Sequence, residues 1–119
     1  MFDLATIGVG LPVAETIDSL PSTGNVVIQA PPGTGKTTLV PPALANHAAG
    51  RGKVIVTAPR RVAVRAAAQR LSTLSGTPDK VGFAIRGESR KGSEVEFVTP
   101  GVLLRRLLKD PELEGVAAV

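Results

Sequence analysis

Residues 25–38 limit what this chain can fold into more than any other stretch does. Asn25, Val26, Val27 and Ile28 begin a strand-forming run. Gln29 and Ala30 carry it into Pro31, Pro32, Gly33, Thr34, Gly35, Lys36, Thr37 and Thr38. A β-branched run that enters a Gly- and Pro-rich loop and leaves through Gly-Lys-Thr is the strand, loop and helix start of a cradle for nucleoside triphosphate. The loop's backbone N–H groups form an anion-binding nest, and the helix start adds its partial positive charge. On this reading the residues from Ala30 to Thr38 line the nucleotide. Lys36 reaches the β- and γ-phosphates as a compact point charge, and the Thr37 hydroxyl ligates Mg²⁺. Lys36 and Thr37 are therefore the candidate catalytic pair, with Thr37 the candidate metal ligand. Ala30 stands at the pattern's first position in place of Gly and slightly restricts one backbone approach. Gly33 and Gly35 stand where the chain must pass closest to phosphate.

Composition narrows the setting. A chain of 119 residues suits one modest domain. Its hydrophobic share of 43% supports a core, but only 3% is aromatic, so Val, Leu, Ile and Ala must fill it. Small apolar residues of that kind suit helices lying closely on a parallel sheet. A net charge of +4 and a pI near 10.1 point to an acidic partner without naming it. The absence of Cys excludes a disulfide framework and fits a reducing compartment. The first residues lack a signal-peptide pattern and no apolar run is long enough to span a membrane, so the chain reads as soluble and cytoplasmic.

Along the chain, residues 1–24 read as a lead-in with a short helix between Pro12 and Pro21, and residues 25–119 as the domain proper. Pro41 and Pro42 fall soon after Lys36, which predicts a kink or a short first helical segment. His47 reads as a solvated residue near that helix's end. Residues 53–58 form a second buried strand, and Pro59 is placed at the first position of a helix that stops before Gly76. Val81, Phe83 and Ile85 alternate with smaller or polar neighbours as a strand. Val95 and Phe97 do the same between Glu94 and Glu96, with residues 87–93 as a charged loop between the two. Thr99 caps a helix with Pro100 at its first position; Leu103, Leu104, Leu107 and Leu108 face inward, and Arg105, Arg106 and Lys109 form a solvated face. Residues 116–119 begin a further strand. Successive strand-to-helix units predict an α/β fold, a parallel sheet with helices on its faces.

Parallel strands end on one side of a sheet, so the second strand delivers Arg60 and Arg61 to the same edge as the phosphate cradle. Two arginines at a helix start oppose the helix dipole, a placement explained by contact with a phosphate backbone. Thr99, Pro100 and Gly101 arrive at that edge in the same way. Gly101 has no side chain to obstruct a phosphate, and the N–H groups of Gly101 and Val102 are left to bind one.

The segments "APPGTGKTT", "TAPRRVAVRAAAQR", "VGFAIRGES" and "VTPGVLLRRLLKDPELEGVAAV" occur in an order and at spacings that resemble the DEAH-box ATP-dependent helicases, the bacterial HrpB-type members most closely. The resemblance covers about residues 11–119. It implies the opening part of a P-loop NTPase motor domain of RecA-like fold, coupling hydrolysis of ATP or another NTP, with Mg²⁺, to movement on single-stranded RNA or DNA. By motif match, Gly33 to Thr37 are implied nucleotide ligands, and Arg60, Arg61, Thr99, Pro100 and Gly101 implied contacts to the strand backbone. It also implies partners within a longer chain: a Walker B acidic segment directly after Val119, and a second RecA-like domain. On this reading the full-length parent is an NTP hydrolase and the isolated 119 residues are inactive. "PPGTGKT" is also similar to the phosphate loop of AAA+ ATPases, which generally lack an Arg-Arg helix start after the second strand. A fragment that binds nucleotide or polyanion without catalysis is the remaining alternative.

Overall fold

The computed structural model describes residues 2–8, 10, 29, 36–48 and 51–119. The short helix expected between Pro12 and Pro21, the strand at 25–30 and the loop at 30–35 therefore lie outside the described residues, as does the boundary between residues 24 and 25. The described elements are helix α1 (Leu4–Ile7), helix α2 (Lys36–His47), strand β1 (Lys53–Thr57), helix α3 (Arg61–Ser75), strands β2 (Val81–Ile85), β3 (Glu88–Arg90) and β4 (Val95–Val98), helix α4 (Pro100–Lys109) and strand β5 (Val116–Ala118).

The strands form one sheet in the order β3-β2-β4-β1-β5, parallel throughout except for β3. This is the α/β architecture expected from the sequence. The link through α3 carries the chain from β1 to β2, across the place of β4, and the link through α4 carries it back from β4 to β5, across β1. Two crossovers running in opposite directions with a common handedness put their helices on opposite faces. The core divides accordingly. Val54, Val81, Ile85, Val95 and Phe97 pack with Val64, Ala68 and Leu71 of α3 and Leu39 and Ala43 of α2. Ile55, Ala84 and Val98 pack with Val102 and Leu103 of α4 on the other face. Side chains such as Phe97 and Leu39 are almost wholly buried, each contributing about 1.5–3 kcal/mol of apolar transfer.

Several local expectations are corrected. Of the kink or short first segment expected from Pro41 and Pro42, the shortening is not seen: α2 runs unbroken for 12 residues with both prolines inside it. Both rings are buried, so apolar packing offsets the ladder hydrogen bonds they cannot make. Pro59 is not the first residue of α3. Arg60 is its N-cap, in extended conformation, and the helix begins at Arg61. The chain is still engaged with the sheet at Ala58, whose N–H donates to the Val98 carbonyl at 3.1 Å. Residues 87–93 are not all loop: β3 folds back antiparallel on β2, pairing Phe83 with Arg90 and Ile85 with Glu88. Arg86 and Gly87 form the two-residue connection, Gly87 at φ 85°, the left-handed conformation tight hairpins need. The returning chain then crosses so near β2 that a Cβ at Gly82 would overlap the backbone of Arg90, Lys91 and Gly92.

Helix α4 also differs. Leu104, Leu107 and Leu108 are exposed, Leu108 at 75%. The sheet side consists of Val102, half-buried Leu103 and, one turn on, Arg106. A helix turns about 100° per residue, so seating Val102 and Arg106 on the sheet rotates those three leucines away from it. The end of α3 matches expectation: Gly76 is its C-cap at φ 67°, donating its N–H to the Ser72 carbonyl.

The first residues are less featureless than the sequence suggests. Phe2 and Asn46 of α2 exchange reciprocal hydrogen bonds, Phe2 N–H to Asn46 Oδ1 at 2.8 Å and Asn46 Nδ2 to the Phe2 carbonyl at 2.9 Å. Asp3 caps α1 by accepting from the Thr6 hydroxyl and backbone N–H, and these bonds hold its carboxyl below the ordinary carboxylate value. His47 is exposed as expected, in the last turn of α2, and its carbonyl accepts from Arg51 Nη2.

Candidate functional site

Three neighbouring parallel strands, β2, β4 and β1, end level with one another: Thr57 lies opposite Val98, and Val98 opposite Ala84. Hydrogen bonds just past these ends hold the edge together, Ala58 N–H to the Val98 carbonyl at 3.1 Å and Thr99 N–H to the Ala84 carbonyl at 3.3 Å. Beyond that edge stand Arg60 and Arg61 after β1, Arg86 after β2, and Thr99, Pro100 and Gly101 after β4. The carboxyl edge of a parallel sheet is where α/β folds place their ligands, because helix starts and short loops converge there.

The structure brings the predicted residues at the starts of α3 and α4 to this one edge. Arg60 and Arg61 are exposed. Arg61 Nη2 donates to the Arg86 carbonyl at 3.2 Å, which ties the start of α3 to the turn after β2. Thr99 is the N-cap of α4 and Pro100 its first residue, as expected, but the Thr99 side chain makes no capping bond. Its carbonyl does the capping instead, accepting from the N–H groups of Val102 at 3.1 Å and Leu103 at 3.2 Å. The expectation that the Val102 N–H is left for a phosphate is therefore corrected. Gly101 remains suited to that task. A Cβ built on it meets nothing within 4 Å, and it lies in the first turn of a 10-residue helix.

A cleft of about 350 Å³ opens here, lined by Arg86, Thr99, Gly101, Val102 and Arg105. Arg86 and Arg105 are cations the sequence reading did not place at the site. The sequence pattern puts Arg86 in a strand's alternation and Arg105 on a solvated face. The signal for Arg86 was the Arg-Gly pair closing a hairpin, which puts the arginine at the strand's carboxyl end. Arg106, read as solvated alongside Arg105, is corrected: its Nη1 lies 2.9 Å from Glu96 Oε1, beneath α4. Glu96 is itself only 4% exposed, because β4 is central in the sheet and covered on both faces.

For the phosphate cradle the structure describes Lys36, Thr37 and Thr38, while Ala30, Pro31, Pro32, Gly33, Thr34 and Gly35 lie outside the described residues. Lys36 and Thr37 are the first described residues of α2. Lys36 and Thr38 are half-buried and Thr37 is exposed. Among the described residues no group of three His, Cys, Asp or Glu side chains is placed to hold a metal. Thr37 thus offers a single hydroxyl, which fits a cation held mainly by nucleotide phosphates and water. No helix among the described residues is long and apolar enough to cross a membrane.

Comparison with known proteins bears on most of the chain. The DEAD/DEAH box helicase family pattern matches residues 13–119. The chain is 41% identical over 117 residues to the ATP-dependent RNA helicase HrpB of Escherichia coli, a match covering 92% of this chain and 14% of that protein. It is 42% identical over 104 residues to the ATP-dependent RNA helicase DHX30 of Homo sapiens, covering 79% of this chain and 9% of that protein. The crystal structure of the Escherichia coli DEAH/RHA helicase HrpB superposes with a TM-score of 0.82 at 40% identity, over 90% of this chain and 15% of that one. The chain therefore spans about a seventh of that relative's length, and its sheet corresponds to part of that helicase.

Proposed function

The chain belongs to the DEAD/DEAH box helicase family, and from that premise we propose that it is the nucleotide-binding opening part of a motor that hydrolyses ATP and moves along single-stranded RNA. The observation that carries this reading is the convergence of Arg60, Arg61, Arg86 and Gly101 on one carboxyl edge of the sheet. Guanidinium groups and a helix-start amide are the groups that take hold of a phosphodiester backbone without reading its bases. The relatives named RNA helicases favour RNA as the strand, with single-stranded DNA a second substrate.

In this reading the amides of Gly33 and Gly35 and the Lys36 ammonium hold the triphosphate, and the Thr37 hydroxyl takes one position on Mg²⁺. The metal supplies charge neutralisation at the transferred phosphoryl group. Lys36 places fixed positive charge where negative charge develops. The second half of the machinery, the acidic segment and the second motor domain, belongs to the longer chain.

The test is fluorescence anisotropy of a labelled single strand over a salt series, using the full-length parent protein. Arg60→Ala and Arg61→Ala should each weaken binding to all sequences alike and make the salt slope shallower by about one phosphate's share. Arg60→Lys should be milder, since charge survives and only the fork geometry is lost. Slopes unchanged in both alanine variants would leave the nucleotide site as the chain's only ligand site.

A further inference from the structure

The buried carboxylate of Glu96 does not line the cleft at the carboxyl edge, yet it sits where α4 is fastened to the sheet. Glu96 is 4% exposed in β4, and its Oε1 accepts from Arg106 Nη1 of α4 at 2.9 Å and lies 3.3 Å from Lys53 Nζ at the start of β1. A buried ion group of this kind is seldom needed for stability, since apolar side chains of similar volume commonly serve as well. Its geometry is the more informative feature.

Helix α4 has few other holds on the sheet. Val102 and Leu103, both in its first turn, are its contributions to the core on that face, and Leu104, Leu107 and Leu108 point elsewhere. A helix fastened only at its first turn is free to pivot there. The Arg106–Glu96 bond adds a second point one turn further along and fixes both tilt and rotation. Rotation matters because Arg105 is the next residue round the helix. With Arg106 held down on the sheet, Arg105 is turned into the cleft with Arg86, Thr99 and Gly101. Lys53 draws on the same oxygen from the strand whose far end delivers Arg60 and Arg61.

We infer that Glu96 is a positioning residue for strand binding: through Arg106 it sets the orientation of α4, and so the aim of the Gly101 amide and the Arg105 guanidinium at the phosphates. This rests on the strand-binding reading above.

The experiment uses the full-length parent with Glu96→Gln, Arg106→Met and the double variant, and Arg61→Ala as the direct-contact reference. Anisotropy with labelled single-stranded RNA is read over a salt series, and nucleotide affinity is read without RNA. Charge alone predicts that Glu96→Gln tightens binding, because it removes a negative group from a protein facing a polyanion. Positioning predicts the opposite sign, affinity weaker by about fivefold to tenfold with an unchanged salt slope. Arg106→Met should show the same loss and the same slope, whereas a phosphate-contacting arginine would lower the slope by about one. The double variant should be no worse than the weaker single variant, since both break one link. Arg106→Lys should recover part of the loss, and nucleotide affinity should hold throughout. Because Arg106 is one-third exposed, its variant keeps the test alive should Glu96→Gln fold poorly. Parental or tighter RNA binding in Arg106→Met and Glu96→Gln, with Arg61→Ala still weakened, overturns the positioning role alone. Arg61→Ala and Arg60→Ala both unaltered overturn the strand-binding reading and this inference with it.

Discussion

Replacing Gly101 by Ala should make α4 more stable and the protein worse at holding a strand. Gly101 lies inside the first turn of a helix, and its φ is not among the positive values that only glycine tolerates. A Cβ there meets no atom within 4 Å, so alanine adds no clash and removes freedom from the unfolded chain. The gain from such a change is about 0.4–1 kcal/mol, and a first-turn position argues for the lower half of that range. The same methyl occupies the space through which a phosphate oxygen must approach the Gly101 amide. An N–H bond to a charged oxygen contributes about 1.5–3 kcal/mol, and losing the lower figure weakens binding by roughly tenfold. In the full-length parent we therefore expect an unchanged or slightly raised melting temperature together with anisotropy-measured RNA affinity about tenfold weaker. Gly101→Val, which fills more of the cleft, should bind weaker still. RNA affinity at the parental level in both variants would show that no phosphate approaches this amide. A lowered melting temperature in Gly101→Ala would show that the space is not open.

Three further outcomes follow from other parts of the molecule. Lys36→Ala in the full-length parent should abolish NTP hydrolysis, monitored as phosphate release, with secondary structure by circular dichroism unchanged; turnover at the parental rate would remove the phosphate-cradle assignment. The isolated 119-residue chain should show no NTP turnover, because the acidic segment that would hold Mg²⁺ and orient water is expected in the longer chain; activity abolished by Lys36→Ala would contradict this. Gly82→Ala should behave opposite to Gly101→Ala, lowering the urea midpoint through a loss of about 3 kcal/mol, since its Cβ would overlap immobile backbone of the returning hairpin.

Much of this could be read from the sequence, and the boundary of what could is physical. Strand β1 and helix α3 were visible because a continuous β-branched run and a Gly C-cap are local signals, and Gly76 does close α3 in the left-handed conformation. The short hairpin strand β3 was missed because only the turn at Gly87 marks it. Glu96 was read as one side of an alternating strand. Alternation, however, shows only that two faces differ, and says nothing of what covers each. That depends on tertiary packing: α2 and α3 cover one face of β4 and α4 the other, so the carboxylate needs partners from β1 and α4. Leu103 of α4 packs on the sheet as expected, while Leu104, Leu107 and Leu108 illustrate the same limit. Residue type suggested an inward stripe, but the rotation of the helix is set by Val102 and Arg106 on the sheet, and that contact is not local in sequence.

Local rules are broken inside α2, by Pro41 and Pro42, and at Leu113, at φ 48°, but three further departures gather at one edge. Asp3 caps α1 with its side chain, and Gly76 ends α3 in the left-handed conformation; each obeys the preferences of its position. At the carboxyl edge three positions do not. Arg60 is an N-cap whose side chain makes no capping bond, at an end where the dipole disfavours positive charge. Thr99 is a competent capping residue whose side chain does not cap. Gly101 places the most flexible residue inside a helix where alanine would fit. Each departure lowers helix stability a little, and each puts at the edge what a phosphate needs: a cation, a hydroxyl and an unobstructed amide. The Arg61 guanidinium bound to the Arg86 carbonyl ties two of the contributing loops together. Departures that share one location point to a shared task there, and the strand binding proposed above would give all three one.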